Sequence, residues 1–293
     1  MILDKHNENP ILEPTKNKWE SKAVMNCGVT IYKGKVHILY RAVGKNNISS
    51  FGLATSKKGY YIDKRHSKPV FSPKEDYEKL GVEDPRITKI KNTYYITYTG
   101  YCAKLRDGVV TRACLAITKD FKKFERKGIL LPQENNKDVV LFPEKVNGKY
   151  AILHRREPDL WLAYSDDLKT WTDHKIILFP RSNKWDCVKI GAGGPPIKTK
   201  EGWLLFYHGV DQKKIYRLGA ILMDYDNPSR VFRYDNPILE PKERWEKKGL
   251  VDNVVFTCGA VEVKEKIFVY YGGADKRIGV ATIDKEEIVK ELT

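Results

Sequence analysis

Short hydrophobic runs separated by polar turns make up most of the chain, and several of them recur. The sequence Pro-Ile-Leu-Glu-Pro at residues 10–14 returns at residues 237–241. Each copy leads into a run that contains Cys-Gly, then a polar turn, an aromatic-rich run and a small-residue run. Residues 52–56 (Gly-Leu-Ala-Thr-Ser) and 279–283 (Gly-Val-Ala-Thr-Ile) are the two small-residue runs. Self-similarity of this kind is typical of a repeat architecture.

Three weaker copies of the same unit lie between these two, within residues 84–118, 141–165 and 194–222. Polar turns at residues 34, 92, 148, 202 and 265 mark the five units and are spaced 54 to 63 residues apart. Each unit holds three to four short runs rich in β-branched and aromatic residues, which predict strands. The pattern therefore predicts an all-β fold, a five-bladed β-propeller that forms one domain over residues 1–293.

Composition and charge narrow the class of protein. Hydrophobic content of 41% and charged content of 31% fit a globular chain, and no apolar run is long enough for a membrane helix. The N-terminus turns polar within four residues, and the five cysteines are scattered without Cys-x-x-Cys spacing. These features predict a cytoplasmic protein with reduced thiols, with no membrane partner and no zinc site.

A net charge of +15 indicates either a nucleic-acid partner, an anionic substrate or a lysine-rich surface. No basic helix, zinc-finger spacing or RNA-binding aromatic motif accompanies the lysines, so we expect no nucleic-acid partner. A small anion held by a few inward basic groups fits better. No acidic cluster with Asp-x-Asp spacing is present, so we expect no metal.

The stretch 81–86, Gly-Val-Glu-Asp-Pro-Arg, introduces the candidate chemistry. Pro85 disfavours helix for the residue before it, which predicts an extended Asp84 that presents its carboxyl group at the mouth of a strand. A simpler interpretation is a turn acid whose charge is satisfied by Arg86. In the repeat, Asp84 stands eight residues before its turn. The positions eight residues before the turns of the other units are Asn26, Val140, Gly194 and Thr257.

Positions seven residues after the turns are the second candidate ring. They are Arg41, Thr99, Arg155, Gly209 and Gly272, with His154 and His208 one step earlier. Both sets flank the same hairpins, so they are expected at one end of the central channel, where propellers bind ligands. One carboxyl group among basic side chains suggests an acid that protonates a leaving oxygen beside a held anion.

A glycosidase usually needs a second carboxyl group as base or nucleophile. Glu83 would point away from Asp84 in an extended strand, and neither Glu144 nor Asp275 is clearly a base. Phosphate as nucleophile would need no general base, because it is already anionic and the cations could orient it. A hydrolase that uses two carboxylates and a non-catalytic carbohydrate-binding propeller are the alternatives.

Five motifs in order along nearly the whole chain resemble glycoside hydrolase family 130, the β-mannoside phosphorylases and related mannosidases. They are Gly-x-Glu-Asp-Pro-Arg at 81–86, Phe-Pro-Glu-Lys at 142–145, His-Arg at 154–155, Tyr-His-Gly at 207–209 and Tyr-Gly-Gly-Ala-Asp at 271–275. The resemblance implies a five-bladed propeller and a reversible, inverting phosphorolysis of β-1,2- or β-1,4-mannosides that gives α-mannose 1-phosphate. The linkage, the acceptor sugar and the chain length stay open.

The resemblance also implies roles for individual residues. Asp84 would be the proton donor, directly or through a hydroxyl group of the sugar. The remaining roles fall into a mannosyl-binding set, Asn26, Arg41 and Asp275, and a phosphate-binding set, Lys145, Arg155, His208 and Tyr216. Inorganic phosphate would be a co-substrate, with no cofactor and no metal, and many members form homo-oligomers. The basic set favours phosphorolysis over hydrolysis.

Overall fold

A computed structural model describes residues 1–105, 108–132 and 134–293 of the chain, and β-strands form most of its regular structure. The strands in chain order are β1 (Asp4–Lys5), β2 (Ala23–Tyr32), β3 (Lys35–Val43), β4 (Ser49–Ser56), β5 (Lys64–Arg65), β6 (Gly81–Ile90), β7 (Thr93–Leu105), β8 (Gly108–Thr118), β9 (Glu125–Ile129), β10 (Lys137–Leu141), β11 (Tyr150–Arg156), β12 (Asp159–Ser165), β13 (Thr172–Leu178), β14 (Lys189–Ala192), β15 (Ile197–Lys198), β16 (Trp203–Val210), β17 (Tyr216–Met223), β18 (Val231–Arg233), β19 (Val255–Val263), β20 (Lys266–Gly273) and β21 (Arg277–Asp284). Two short α-helices, α1 (Arg244–Lys247) and α2 (Lys285–Lys290), and two 3-10 turns, Lys18–Glu20 and Asp76–Glu78, complete the elements.

These strands form five antiparallel blades in chain order, which confirms the predicted propeller. The first three blades are β2–β5, β6–β9 and β10–β13, and the fourth is β14–β18 with β15 beside β16. The fifth blade takes β19, β20 and β21 from the end of the chain and β1 from its start. Asp4 pairs with Thr282 and Lys5 with Ala281, so the first strand completes the last blade.

Hydrophobic side chains fill the space between successive blades rather than one central core. One buried cluster lies between the first and second blades, and others lie between the second and third, the third and fourth, and the fourth and fifth. A further cluster joins Val29 and Ile38 of the first blade to Phe268 and Val280 of the fifth. The ring is therefore closed by burial of apolar surface, and each blade is stabilised by both of its neighbours.

A buried acid follows an aromatic residue ahead of the innermost strand in four blades. The four pairs are Trp19–Glu20, Tyr77–Glu78, Trp185–Asp186 and Trp245–Glu246. In each of these blades a tyrosine of the second strand donates its hydroxyl hydrogen to the acid; the four tyrosines are Tyr40, Tyr98, Tyr207 and Tyr271. A basic side chain from an outer strand also pairs with each acid. We call this arrangement the blade anchor.

The third blade departs from the anchor. His154 occupies the place of the tyrosine and is fully buried. Its Nδ1 lies 2.9 Å from Asn136 Nδ2, and its Nε2 lies 2.9 Å from His174 Nδ1. Because Asn136 Nδ2 can only donate, His154 Nδ1 accepts and the ring is neutral. Burial, the first cause, together with the positive charge of Arg156 and the neighbouring His174, lowers the pKa of His154 to about 3.

Within the described ranges, the helices are all too short and too polar to cross a membrane. This finding agrees with the hydropathy of the sequence, which contains no long apolar run.

Candidate active site

A cavity of about 160 Å³ opens at one end of the central channel, and side chains from several blades line it. The lining residues are Asn26, Arg41, Glu83, Asp84, Lys137, Asp138, Arg155, Tyr216, Val251, Val254, Phe256 and Asp275. Six of the eight residues predicted from the sequence are among them; His208 lies buried beneath the floor, and Lys145 lies elsewhere.

The innermost strands of the first three blades carry the same local irregularity. Strands β2, β6 and β10 each contain a bulge, and the bulged residues are Asn26, Asp84 and Asp138. Their φ angles are +47°, +51° and +59°, in the left-handed region that Asn and Asp tolerate better than most residues. The extra residue bends the strand and re-aims its side chain, so all three line the cavity.

Two predictions about this level of the ring are therefore wrong. Asp84 is not extended, because it is the bulged residue of β6. The counterpart of Asp84 in the third blade is Asp138, not Val140, which pairs with Leu153 beyond the bulge. Counting back from the hairpin turn misses Asp138, because residues 142–145 lie opposite only residues 150–151 and so add two positions between the turn and β10.

The strand pairing confirms the second predicted ring in the first, second, third and fifth blades. In the fourth blade the ring residue lies one position away from the predicted one. Arg41, Thr99, Arg155 and Gly272 pair with the residues just before the bulged position of each innermost strand or its counterpart. In the fourth blade that place belongs to His208, which pairs with Gly191, rather than to Gly209. The loop before β16 has four residues, 199–202, so counting from its turn lands one position too far.

Asp84 and Glu83 share one arginine at the wall of the cavity. Asp84 Oδ1 accepts hydrogen bonds from Asn26 Nδ2 at 3.0 Å and from Arg41 Nη1 at 3.3 Å. Arg41 Nη2 donates to Glu83 Oε1, and Ser49 Oγ donates to the same oxygen at 3.4 Å. The prediction that Glu83 points away from Asp84 is wrong, because the left-handed backbone at Asp84 breaks the alternation of an extended strand.

Arg86 is fully buried and ties the second, third and fourth blades together beneath the cavity. Its Nη1 donates to the backbone carbonyl of Asp84 at 3.0 Å, not to the Asp84 carboxylate. Its Nη2 donates to Asp138 Oδ1 at 2.8 Å, and its Nε donates to the carbonyl of Gly193 at 2.7 Å. The interpretation of Asp84 as a turn acid neutralised by Arg86 does not hold, since Arg86 neutralises Asp138 instead.

Asp138 is held ionised at the floor of the site. Burial opposes its ionisation, but the guanidinium groups of Arg155 and Arg86 hold the pKa of Asp138 well below its usual range. Arg155 Nη1 lies 2.7 Å from Asp138 Oδ2, and His208 Nε2 lies 3.8 Å from the same oxygen. Burial lowers the pKa of His208 to about 3, against the pull of Asp138, so this ring is neutral at physiological pH.

The cavity also concentrates carboxyl groups. Burial, the negative charge of Asp84 and that of Glu83 raise the pKa of Asp275 to about 6, while Arg41 acts in the other direction. Burial also raises the pKa of Glu83, with Arg41 opposing it. The cavity thus holds four acids, two of which, Glu83 and Asp138, were not predicted as site residues. The lack of a second acid cannot be the reason for a phosphate nucleophile.

The cationic part of the cavity contains Lys137, Arg155 and Tyr216, with His208 behind them. Lys145 is misplaced by the sequence motif: it is exposed at the hairpin end of the third blade, with Nζ 4.6 Å from the centre of the Tyr150 ring. That end lies opposite the Lys137–Arg155 pair along the same strands. Lys137 was missed, although Lys-Asp at 137–138 matches Glu-Asp at 83–84 once the bulges are aligned.

The arrangement suits acid catalysis beside a bound anion. Carboxyl groups and cationic groups line the same cavity, so a neutral sugar and a small anion could lie side by side. Outside residues 106, 107 and 133, which the structure does not describe, no group of three His, Cys, Asp or Glu side chains is arranged to hold a metal ion. The described residues thus offer acid–base and anion-binding groups.

Comparisons with known proteins agree with this interpretation of the cavity. The model of glycoside hydrolase family 130, described as beta-1,4-mannooligosaccharide phosphorylase, matches residues 3–293. A 1,2-beta-oligomannan phosphorylase and a beta-1,2-mannobiose phosphorylase, both from Thermoanaerobacter sp. (strain X514), are 47% and 49% identical to this chain. The match to each covers 98% of both proteins.

A solved structure gives the same answer for the fold. The beta-1,2-mannobiose phosphorylase from Listeria innocua, in complex with beta-1,2-mannobiose, superposes with a TM-score of 0.91 at 31% identity. The superposition covers 100% of this chain and 99% of that one. The chain therefore belongs to glycoside hydrolase family 130 and is an enzyme of the glycoside phosphorylase class.

Proposed function

We propose that the protein catalyses the reversible, inverting phosphorolysis of β-1,2-linked mannosides and releases α-mannose 1-phosphate. One observation carries this proposal: a single cavity brings Asp84, which accepts hydrogen bonds from Asn26 and Arg41, together with the cationic side chains of Lys137 and Arg155. A donor acid and an anion site within one cavity are what a single displacement with phosphate requires.

Each bond change in the reaction has a residue suited to it. Phosphate, held by Lys137 and Arg155 with the Tyr216 hydroxyl group nearby, attacks C1 of the terminal mannosyl unit from the α face. The bond between C1 and the bridging oxygen breaks, and that oxygen takes a proton from Asp84. Asp84 Oδ1 is engaged by Asn26 and Arg41, so Oδ2 is the oxygen that would carry the proton.

The mannosyl unit would be held by Asn26, Arg41 and Asp275. Asn26 and Arg41 donate hydrogen bonds, and the carboxylate of Asp275 accepts them, which suits the alternating hydroxyl groups of a hexose. His208 is neutral and buried beside Asp138, so we assign it a supporting role behind Arg155 rather than a direct charge on phosphate. This assignment differs from the role implied by the family motif.

The names of the relatives support the β-1,2 linkage. Two proteins that share nearly half of their residues with this chain, and the superposed Listeria structure, are named for β-1,2-linked substrates. The description of the family model names a β-1,4 linkage, so β-1,4-mannosides are the alternative substrate. The reaction as proposed needs no cofactor beyond inorganic phosphate as co-substrate, which fits the cytoplasm, where phosphate is present.

Hydrolysis is the second candidate reaction, and a specific observation favours it. Glu83 and Asp275 stand beside Asp84 with raised pKa values, each through burial first, so either could serve as a base toward water. Lys137 and Arg155 weigh against this candidate, because a water nucleophile does not need two cations. The identity of the product and the dependence of the rate on phosphate separate the two reactions.

Nuclear magnetic resonance of the product tests the proposal. With β-1,2-mannobiose and inorganic phosphate, the phosphorus spectrum should show a mannose 1-phosphate ester, and the proton spectrum should show its anomeric centre as α. One free mannose should form for each ester, since the leaving unit takes the proton. A β anomer would contradict inversion, and two free mannose units without an ester would establish hydrolysis.

A further inference from the structure

A buried polar chain lies directly behind the cationic part of the cavity in the third blade. It begins at Asn136, which is 1% exposed and immediately precedes Lys137 and Asp138 of the cavity lining. The equivalent positions in the first and second blades, two residues before the bulged residue, are Val24 and Val82, which are also buried. An asparagine at an apolar position has to be held by hydrogen bonds, because burial of an unpaired amide group is costly.

The side chain and the backbone N–H of Asn136 are fully engaged. The backbone N–H donates to the carbonyl of Thr111 in the second blade at 3.1 Å. The side-chain Oδ1 accepts from the backbone N–H of Arg155 at 3.2 Å, and Nδ2 donates to Glu134 Oε1 and His154 Nδ1, both at 2.9 Å. The residue therefore joins the start of β10 to the end of β11, and the second blade to the third.

The direction of each hydrogen bond along this chain is fixed from both ends. The backbone N–H of Arg155 can only donate, so the Asn136 oxygen faces it and the amide nitrogen faces His154. His154 Nδ1 then accepts, and its Nε2–H donates to His174 Nδ1 at 2.9 Å. The Nε2–H of His174 donates to the carbonyl of Trp171, 3.2 Å away, which can only accept. Neutral rings at both histidines thus satisfy the whole chain.

The chain meets the cavity at the two cations that the proposed function assigns to phosphate. Lys137 follows Asn136 directly, and Arg155 is held through its own backbone N–H. These two cations pair across β10 and β11, but the bulge at Asp138 interrupts the pairing between Lys137 and Val140. The side chain of Asn136 therefore adds a link between the two strands next to the interruption.

We propose that Asn136 is a positioning residue for the phosphate site, held in its orientation by His154 and His174. It lies behind the lining of the cavity and fixes the Lys137 and Arg155 side chains relative to each other through their backbone. This inference rests on the proposed function, since it takes these two cations as the phosphate ligands. The third blade supplies a cation from each of the two strands, and it is also the blade in which His154 replaces the tyrosine of the blade anchor.

Steady-state kinetics tests this role, with the KM for phosphate and the KM for β-1,2-mannobiose measured separately. Asn136→Ala releases the backbone of Arg155, so we expect the KM for phosphate to rise about tenfold. The KM for mannobiose should change by less than about twofold, because its ligands Asn26, Arg41 and Asp275 lie on other blades. A residue needed only for folding would lower the amount of active enzyme and leave both KM values unchanged.

Two variants of His154 test the same chain without a change at Asn136, and they decide the matter if Asn136→Ala does not fold. His154→Leu removes the acceptor that orients the Asn136 amide, whereas His154→Asn supplies an amide oxygen in its place. The KM for phosphate should rise about fivefold in the first variant and return to within about twofold of the native value in the second.

The control is Asn9→Ala, which removes a part-buried asparagine from the fifth blade. The Asn9 side chain donates to the carbonyl of Val280 and accepts from its N–H, both at 2.9 Å. Like Asn136, it therefore holds a strand through backbone groups, but that strand carries none of the proposed phosphate ligands. We expect the variant to lose stability and to keep both KM values.

An unchanged KM for phosphate in folded Asn136→Ala would overturn the inference, as would equal rises for both substrates or a similar rise in the Asn9→Ala control. Equal KM values for phosphate in His154→Leu and His154→Asn would contradict the orienting role of His154. If the native enzyme shows no phosphorolysis of mannobiose, the proposed function fails instead. Calorimetric titration with inorganic phosphate then decides the role of Asn136: weaker binding in Asn136→Ala or His154→Leu supports it, and binding that is equal to the native value or absent from all proteins contradicts it.

Discussion

At the scale of single residues, the site depends on three side chains in an unusual backbone conformation. Asn26, Asp84 and Asp138 occupy equivalent bulges in three successive blades, each with a positive φ. Residues held in this region cost on the order of 1 kcal/mol each, and such strain concentrates at functional sites. At these positions the strained backbone directs the three side chains toward one cavity.

Substitution of Asp84 by Asn tests the donor role. The variant keeps an oxygen that can accept from Asn26 and Arg41, but it cannot give up a proton, so we expect phosphorolysis to fall by at least about 10²-fold. The rate is measured with mannobiose and phosphate, beside a thermal unfolding curve.

Asp76→Asn is the matched control for this variant. It makes the same chemical change in the second blade, at a side chain that is 91% exposed and pairs with Lys79. It should keep the native rate. An Asp84→Asn variant that folds and retains the native rate would remove Asp84 from the donor role.

Sequence motifs located part of the site and misplaced the rest, for a physical reason. Asp84 was found because Glu-Asp-Pro-Arg is a local motif, whereas Lys137 and Asp138 were missed because their blade has no such motif. Lys145 was chosen from Phe-Pro-Glu-Lys, which lies at the other end of the strands. The bulge at Asp138 leaves no clear sign in the sequence, and the extra residues at 142–145 before the turn hide its register.

At the scale of elements, the blade anchor explains why the repeat looks as it does. Tyr40 pairs across the strands with Gly52, and Tyr271 pairs with Gly279. In both pairs the tyrosine ring lies over the glycine, so a Cβ atom there would collide with it. The small-residue runs are therefore required by the anchor, and the aromatic-rich runs supply its tyrosines.

Removal of one hydroxyl group tests the anchor. Tyr40 donates to Glu20 Oε2 at 2.9 Å and accepts from Arg65 Nε at 3.0 Å, all largely out of water. Tyr40→Phe leaves the buried acid with one partner fewer, and we expect the free energy of unfolding in urea to fall by about 1–3 kcal/mol.

The control for this change is Tyr61→Phe, at a ring that is 51% exposed with its hydroxyl group 3.5 Å from Glu8. This substitution should alter the free energy of unfolding by less than about 0.5 kcal/mol. Equal unfolding midpoints for Tyr40→Phe and the native protein would show that the anchor contributes nothing to stability.

The order of strands and turns could be predicted more accurately than the pairing register of the strands. The alternation of strands and turns, repeated five times, predicted the number of blades correctly. The register in the fourth blade was off by one because residues 199–202 make a longer loop than the two-residue turns elsewhere. Because of this one-residue shift, His208 rather than Gly209 lies at the level of Arg41 and Arg155.

At the scale of the whole molecule, the function follows from ring closure. Side chains from different blades meet only because β1 completes the fifth blade and the apolar cluster between the fifth and first blades closes the ring. Asp275 then faces Arg41 and Asp84, and Tyr216 faces Lys137. No local stretch of sequence contains this site, which explains why the four acids of the cavity could not be counted in advance.

The excess positive charge of the chain, +15, is not concentrated in the site. Within the cavity, Arg41, Lys137 and Arg155 stand beside four acids. The presence of three cations among the acids of the cavity therefore carries more information about the reaction than the net charge does. These cations favour phosphate over water as the attacking group.

The most direct test of that claim is the consumption of β-1,2-mannobiose by the purified enzyme with and without inorganic phosphate. We predict no consumption above background in phosphate-free buffer, and a rate that rises and saturates as phosphate is added, with equal amounts of mannose 1-phosphate and mannose. Undiminished consumption without phosphate, with free mannose as the sole product, would contradict the account.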